Sequence, residues 1–163
     1  MINKIIYDGK EKHVYLVKPN GKRMLLKNDL SSKPIISPNK RLAAFISPFC
    51  WECMSNVYVV DLYNGKISNV YNWEYSKTPK YIKWYSNESL LLIIGETYGT
   101  VSIGGDLYSL NIKSKKLEVV KKFPEYIQIT SFKLNENIIE VYGIRYIDNI
   151  YNEHILYKDS FKY

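Results

Sequence analysis

The most specific chemical motif of the sequence is a pair of cysteines separated by two residues, Cys50-Trp51-Glu52-Cys53. Thiols at this spacing can close a disulfide or supply two ligands to a metal ion. A thioredoxin-like redox role is not favoured, because no helix pattern follows the motif to activate a thiol. We therefore expect Cys50 and Cys53 to be reduced and partly buried.

A zinc site would need two further ligands, and the only histidines of the chain are His13 and His154. A site of Cys50, Cys53, His13 and His154 stays an alternative, which requires the first and last segments to be neighbours. The same two histidines are the only imidazoles available to activate a Ser or Cys nucleophile, and no triad pattern surrounds them. We predict no cofactor and favour a non-enzymatic protein.

A glycine-rich segment contains Gly99, Gly104 and Gly105 together with Thr100 and Ser102. Such a composition could present backbone N–H groups to an anion. The order of residues matches neither the P-loop nor the dinucleotide-binding fingerprint. Glycines that accept a positive φ in a loop explain the segment equally well, so both interpretations stay open.

The net charge of +7 raises the possibility of a nucleic-acid partner. The chain has 20 Lys but only 3 Arg, and Arg is the residue best suited to forked contacts with phosphate and guanine. Nucleic-acid binding is therefore possible but not favoured.

A chain of 163 residues with 46% hydrophobic residues is long enough for one domain with a buried core. Its longest apolar run, at 90–94, is far too short to span a membrane, and the N-terminus lacks the apolar stretch of a signal peptide. We expect a single domain over 1–163 that is cytoplasmic and has no membrane partner.

Short runs rich in Val, Ile, Tyr and Leu, separated by polar and glycine-containing turns, predict an all-β fold. The predicted strands are 4–7, 13–18, 23–27, 42–47, 56–62, 80–85, 90–94, 106–112, 117–121, 127–134, 138–144 and 154–159. Asn20-Gly21 and Asn64-Gly65 predict tight hairpin turns, because both residue types accept the positive φ that such turns need.

The sequence also repeats with a period of 48 residues. Asn39, Asn87 and Asn135 hold this spacing, and each opens a turn before an apolar strand. The same spacing separates three apolar residues of the preceding strands, Ile36, Trp84 and Phe132. A unit of four strands joined by tight turns and one long loop has the size of a propeller blade.

The repeat units are approximately 1–29, 30–75, 76–122 and 123–163, with the first and last short. They predict antiparallel four-stranded meanders in a small or incomplete β-propeller of about four blades, in preference to a β-sandwich. An open propeller leaves a strand edge unpaired, so a homo-oligomer is possible.

The segments SPNKRLAAFIS at 37–47 and NVYVVDLYNGK at 56–66 resemble the repeat of TolB-type and WD-like bacterial β-propellers. Lys40 stands where that repeat usually has Gly. The segment YGTVSIGGDLY at 98–108 also resembles a bacterial family of unknown function that contains such repeats. The resemblance implies a propeller fold and no particular activity, because propellers include both binding proteins and enzymes.

The meander places the tight turns at one end of the molecule, the turn end, and the long loops at the other, the loop end. The turn end has a net charge of +6, from Lys22, Arg23, Lys40, Arg41, Lys66, Lys113, Lys115, Lys116 and Lys158 against Glu88, Glu136 and Asp159. The loop end, at 8–12, 49–56, 96–106 and 145–153, has a net charge of −4.

Long loops on a rigid scaffold usually carry binding residues, so the loop end is the predicted functional face. Its candidate ligand or partner contacts are Trp51, Glu52, Glu96, Tyr98, Thr100, Ser102, Asp106, Arg145, Tyr146, Asp148, Tyr151 and Glu153. Alternatively, these aromatic side chains cap the core and the carboxylates face water.

Three functions follow from these features. The favoured one is a non-enzymatic binding module that engages a protein or a small polar ligand through the long loops. The second is a small-ligand-binding or sequestering protein, or an enzyme, with an axial pocket near Glu96 and Arg145. The third is binding of an anion or nucleic acid by the lysine-rich turn end.

Overall fold

Fourteen β-strands in four antiparallel sheets make up the described part of the chain, which in this computed structural model is residues 2–74 and 76–163. The described residues contain no helix, and therefore none that is long and apolar enough to cross a membrane. The predicted all-β class is confirmed.

Each sheet is a meander in which strands that follow one another in sequence are hydrogen-bonded neighbours. The first sheet contains β1 (Lys4–Asp8), β2 (His13–Val17) and β3 (Arg23–Lys27), and the second contains β4 (Ile35–Ile36), β5 (Leu42–Ser47), β6 (Asn56–Asp61) and β7 (Ile67–Tyr71). The third contains β8 (Lys77–Trp84), β9 (Ser89–Glu96), β10 (Asp106–Asn111) and β11 (Leu117–Lys121). The fourth contains β12 (Ile127–Asn135), β13 (Ile138–Tyr146) and β14 (His154–Lys162). The expected short first and last units are thus confirmed.

Two details go beyond the predicted strand bounds. The repeat placed Ile36 on a strand, which is the short β4, and the four-stranded unit implied β7, but neither strand had been given bounds. The final strand continues to Lys162, because it pairs with β13 along its whole length. Lys158 and Asp159 therefore lie in the middle of β14 and not at the turn end, where they had been placed.

The tight turns are stabilised by asparagine side chains. The Oδ1 atoms of Asn20 and Asn64 accept the N–H of Lys22 at 3.0 Å and of Lys66 at 2.7 Å. Lys40, which replaces the usual glycine of the repeat, still adopts a φ of 59°. The turn geometry is therefore kept without glycine, and Asn39 supports it by accepting the N–H of Arg41 at 3.0 Å.

The core consists of three apolar layers between consecutive sheets. One layer joins the first and second sheets around Phe45, the next joins the second and third around Trp84, and the last joins the third and fourth around Phe132. Among the described residues no buried cluster joins the first sheet to the fourth. The buried layers thus connect the four sheets in chain order.

Candidate functional site

Three long loops surround one cavity of about 350 Å³, which we call the loop-end cavity. It is lined by Lys12 of the β1–β2 loop, by 49–52 and Ser55 of the β5–β6 loop, and by Thr97, Gly99, Ser102 and Ile103 of the β9–β10 loop. The start of β8 forms its floor through Thr78, Pro79 and Lys80. Three sheets thus contribute to a single concave surface.

Long-range hydrogen bonds hold these loops together. The Gly99 N–H donates to Glu52 Oε1 at 3.0 Å, which joins the second and third sheets. The Tyr146 hydroxyl donates to the Val101 carbonyl at 3.0 Å, which brings the fourth sheet into the same network. The four long connections therefore meet at one end of the molecule.

The cysteine motif forms a disulfide between Cys50 and Cys53, so the expectation of two reduced thiols was wrong. The chain turns tightly between them, with Glu52 at a φ of 53°. This turn brings the two Cα atoms to 5.4 Å, a separation that a disulfide can bridge. The motif closes one wall of the loop-end cavity.

The structure does not bring the four residues of the zinc alternative together. Cys50 and Cys53 are bonded to each other, and His154 packs edge-on against Tyr146 with ring centroids 6.0 Å apart. His13 instead packs near Tyr15 in the first sheet. No group of three or more His, Cys, Asp and Glu side chains suited to a metal ion occurs within residues 2–74 and 76–163.

The disulfide loop is attached to the cavity floor through Thr78. The buried Thr78 hydroxyl donates to the Cys53 carbonyl at 2.9 Å and accepts the Ser55 N–H at 3.1 Å. These two bonds cross 25 and 23 positions of sequence, so they fix the loop relative to β8.

Lys80 is the cation of the cavity floor, and a β-bulge gives it this position. Pro79 pairs with Ile94 and Tyr81 pairs with Ile93, which leaves Lys80 as the extra residue of β8. Such a bulge turns a side chain away from the direction that regular alternation would give. The Lys80 ammonium donates to the Ser102 carbonyl, and burial lowers the pKa of Lys80 to about 8.

Within the described residues, no carboxylate lies at ion-pair distance from the Lys80 ammonium. The nearby Glu96 carboxylate forms its ion pair with Lys77, and this hydrogen bond is the main reason why the pKa of Glu96 is lowered. Lys80 is thus partly buried and has no ion-pair partner among the described residues, and Glu96 acts on it only at longer range.

Apolar surface completes the cavity. Trp51 is 59% exposed and Phe49 is 37% exposed, although both are large and apolar. Both side chains line the loop-end cavity with Ile103 and Pro79. An aromatic wall beside a partly buried cation is typical of a small-molecule site.

The three glycines of the glycine-rich segment have structural roles, and anion binding by the segment stays a prediction. The Gly104 N–H donates to Gln128 Oε1 at 3.0 Å, and the Gly105 N–H donates to the Ile129 carbonyl at 3.1 Å. A Cβ at Gly104 would collide with the backbone of Ile129, so close backbone approach requires glycine there. Gly99 has a φ of 108°, so the hypothesis that the loop needs a glycine for a positive φ applies to this residue.

A second cavity of about 220 Å³ lies beside the first, and three of its charged lining groups, Lys77, Glu96 and Asp106, are already bonded. Glu96 pairs with Lys77 and accepts the Ser76 hydroxyl at 3.0 Å. Asp106 accepts the Phe123 N–H at 2.8 Å. Arg145 is exposed on β13 and lines neither of these two cavities, so the axial pocket near Glu96 and Arg145 stays a prediction.

The twelve predicted contact residues separate into distinct surroundings. Trp51, Glu52 and Ser102 line the loop-end cavity. Tyr98 and Thr100 are exposed on the same β9–β10 loop. Glu96 and Asp106 line the second cavity, Arg145 is exposed on β13, and Tyr146, Asp148, Tyr151 and Glu153 lie in the cap of the fourth sheet.

In that cap, Tyr146 is buried, and burial raises the pKa of its phenol. The Tyr151 ring packs edge-on against Tyr146 at 5.1 Å. Asp148 accepts the Asn152 N–H at 3.0 Å, and Glu153 stays exposed. Tyr146 and Tyr151 therefore cap the core, as the alternative interpretation of the loop-end aromatic residues expected.

Sequence analysis missed Lys80 because regular alternation cannot indicate a bulge. One signal precedes it directly. Pro79 cannot donate to a sheet ladder, so a proline inside a strand pattern marks an edge or a bulge. The residue that follows such a proline is a candidate for an unusual side-chain direction.

Among the described residues, three of the turn-end cations form ion pairs with nearby carboxylates. Arg41 lies 3.6 Å from Asp61, Lys113 pairs with Glu88, and Lys116 lies 2.8 Å from Glu118. The first two pairs line a cavity of about 460 Å³ together with Asn39 and Asn87. This cavity is larger than the loop-end cavity, but its charges already have partners.

Residues 52–158 match the model of a family described as a domain of unknown function (DUF4652). The chain belongs to this family. The matched range includes Glu52, Lys80 and Ser102 of the loop-end cavity, whereas Lys12 and Phe49 precede it. No curated protein sequence matches the chain.

Among solved structures, a candidate conserved lipoprotein from Clostridium novyi NT is similar, with 23% identity and a TM-score of 0.74 over 81% of this chain and 86% of that one. The β-propeller domain of the trilobed protease from Pyrococcus furiosus has 16% identity and a TM-score of 0.56, over 98% of this chain and 52% of that one. TolB from Acinetobacter baumannii has 10% identity and a TM-score of 0.54, over 96% of this chain and 38% of that one.

At these identities the likeness is one of fold alone. The chain spans about half of the Pyrococcus furiosus propeller domain and less than half of TolB. With the four antiparallel sheets, this likeness confirms a small or incomplete β-propeller.

Proposed function

We propose that the protein is a propeller-like binding module that takes a small polar ligand in the loop-end cavity. The observation that carries this proposal is Lys80, a partly buried cation without a carboxylate partner among the described residues, in a cavity shared by three long loops. A buried charge of this kind costs folding free energy, and natural proteins keep such groups mainly where a site uses them.

A small ligand fits the cavity better than a protein surface does. Its volume of about 350 Å³ lies within the range of small-molecule sites. The β-sheet floor and the disulfide-closed wall also give it fixed sides. A protein partner, the other half of the favoured sequence hypothesis, stays a prediction.

The location of the protein in the cell also stays a prediction. The N-terminal sequence favoured the cytoplasm, but a Cys50–Cys53 disulfide favours a compartment in which disulfides persist. Fractionation of the host cell, with alkylation of free thiols before lysis, would decide between the two.

The other sequence hypotheses have less support. Nucleic-acid binding by the turn end is not favoured, because Arg41, Lys113 and Lys116 already pair with carboxylates. A homo-oligomer through a sheet edge, an enzymatic role and a TolB-type or WD-like relationship beyond the fold stay predictions.

A metabolite screen followed by nuclear magnetic resonance tests the proposed function. Ligands should shift the backbone signals of residues 49–55 and 97–103. Trp51→Ala should weaken their binding at least tenfold, because it removes an exposed wall of the cavity.

Tyr63→Ala is the matched control, since Tyr63 is a similarly exposed aromatic residue at the turn end. It should leave ligand binding unchanged. Ligands that shift only turn-end signals, or that bind Trp51→Ala as tightly as the parent protein, would refute the proposal.

A further inference from the structure

We propose that the ligand of the loop-end cavity is an organic carboxylate, with its acid group on Lys80 and its apolar body against Trp51 and Phe49. This inference rests on the proposed function and names the class of ligand. It follows from three properties of the cavity: the charge that has no partner, the direction of the hydrogen-bond donors, and the apolar wall.

The first property is the balance of charge. Lys80 and Lys12 both line the cavity, whereas Glu52 is the only carboxylate among the described residues that line it. One Glu52 oxygen already accepts the Gly99 N–H. The lining thus has an excess of positive charge, so an anion would be attracted and a cation repelled.

The second property is the set of available donors. Lys80 has three N–H bonds and uses one of them on the Ser102 carbonyl. The Ser102 hydroxyl forms no hydrogen bond within the described residues and lies in the lining. In contrast, Thr78 and Thr97 are occupied by Cys53, Ser55 and Trp73. An ammonium beside a free hydroxyl suits the two oxygens of a carboxylate.

The third property separates an organic acid from a phosphate. Phosphate sites normally converge several backbone N–H groups or arginines on one anion. Among the described residues no arginine lines this cavity, and the N–H of Gly99, its lining glycine, already donates to Glu52. The exposed rings of Trp51 and Phe49 require a carbon body instead.

The bulge makes this arrangement rigid. Lys80 belongs to a strand whose neighbours Pro79 and Tyr81 are paired with β9. Thr78, two positions earlier, is fixed to the disulfide loop. A binding group on such a backbone keeps its position without a ligand, which reduces the entropy lost on binding.

Three probes with one carbon body test the charge preference: 3-phenylpropionate, 3-phenylpropan-1-ol and 3-phenylpropylamine. Their affinities are measured at pH 7 by titration monitored with nuclear magnetic resonance. The acid should bind at least tenfold more tightly than the alcohol, and the amine should bind most weakly. Equal or tighter binding of the alcohol or the amine would overturn the inference.

Two lysines of β8, Lys80 and Lys83, provide a test variant and a matched control for the charge preference. Lys80→Met keeps the length of the side chain and removes its charge, so the tenfold preference for the acid should disappear. Lys83→Met makes the same change on β8 outside the cavity and should keep the preference. If Lys80→Met still binds the acid tenfold more tightly than the alcohol, a group other than Lys80 causes the preference, and the inference is overturned.

The pH dependence of the unaltered protein gives an independent readout, even if Lys80→Met does not fold. Because the pKa of Lys80 is about 8, its ammonium is mostly lost by pH 9.5. The charged groups that influence Lys80 are Glu96 and Lys77, and Lys12 and Glu52 share the cavity. Affinity for 3-phenylpropionate should fall at least tenfold between pH 7 and pH 9.5, whereas that for the alcohol should stay constant. A constant affinity for the acid would overturn the inference.

The outcomes separate this inference from the proposed function. If the metabolite screen finds only neutral or cationic ligands at 49–55 and 97–103, the cavity is a binding site and the carboxylate inference is wrong. If no ligand reaches these residues, the proposed function also fails.

Discussion

The two ends of the molecule connect neighbouring strands in different ways. At the turn end, short hairpins repeat one local solution, in which an asparagine side chain accepts a backbone N–H two residues later. At the loop end, each connection differs, and the loops hold one another through bonds between distant residues such as Gly99 and Glu52. Regular turns therefore build the scaffold, and irregular loops create the cavity.

The two ends also differ in their charged groups. The cations Arg41 and Lys113 of the turn end have carboxylate partners, whereas the Lys80 ammonium of the loop end bonds only to a carbonyl in the described structure. A charged surface by itself is therefore a weak guide to function in this chain. The informative group is the one whose surroundings leave it unneutralised.

The largest expected effect compares two glycines, one from each end. Gly104→Ala should lower the free energy of unfolding by about 3 kcal/mol or more, because its Cβ would lie 2.6 Å from the Ile129 nitrogen. Gly21→Ala should cost about 1 kcal/mol, since only its φ of 81° opposes a side chain. Urea unfolding measures the free energy of unfolding of both variants. Equal losses would contradict the close contact between Gly104 and the Ile129 backbone.

Removal of the disulfide should have the next largest effect. Cys50→Ser combined with Cys53→Ser should lower the free energy of unfolding by about 2 kcal/mol, because the short closed loop no longer restricts the unfolded chain. Reduced unaltered protein should behave like this variant in urea. Two free thiols in protein unfolded without reductant would contradict the disulfide.

A smaller effect is expected where the repeat makes contact with itself at the turn end. Asn87→Ala should lower the free energy of unfolding by about 1 kcal/mol, because its side chain accepts the Asn39 N–H at 2.9 Å. Asn135→Ala is the matched control from the next repeat, and its side chain makes no hydrogen bond within the described residues. Equal effects of the two substitutions in thermal unfolding would argue against the contact between blades.

The smallest effect is expected for an exposed ion pair of the turn end. Lys113→Gln should change the free energy of unfolding by less than about 0.5 kcal/mol, because Lys113 and Glu88 are 71% and 55% exposed. Urea unfolding of both proteins in low and high salt measures the contribution of the Lys113–Glu88 ion pair to stability. A larger loss that salt abolishes would show that turn-end charges matter more than the comparison implies.

Much of the scaffold was predictable from the sequence because its signals are local. Each Asn-Gly turn and each strand pattern depends on residues within a few positions of each other, and the turns opened by Asn39, Asn87 and Asn135 repeat one such local pattern every 48 residues. They indicated the four meanders and their short first and last members, which the structure confirms. The extent of β14 was missed because its pairing with β13 extends beyond the apolar pattern.

The candidate site was less predictable because it depends on contacts between distant residues. Trp51, Glu52 and Ser102 were found through the rule that long loops bind ligands. Lys80 was missed because its direction results from a bulge, and the disulfide was missed because spacing alone does not determine redox state. Tyr146 was assigned to binding although its hydroxyl serves the packing of two loops.

The bulged position in β8 has a consequence for how this family can diversify. Since Lys80 has no cross-strand partner in the sheet ladder, another side chain at that position would leave the register of Pro79 and Tyr81 intact. Exchange of this one residue could therefore change which molecules are recognised while the architecture is inherited unaltered. Homologues with an acidic or apolar residue there would be expected to select correspondingly different compounds.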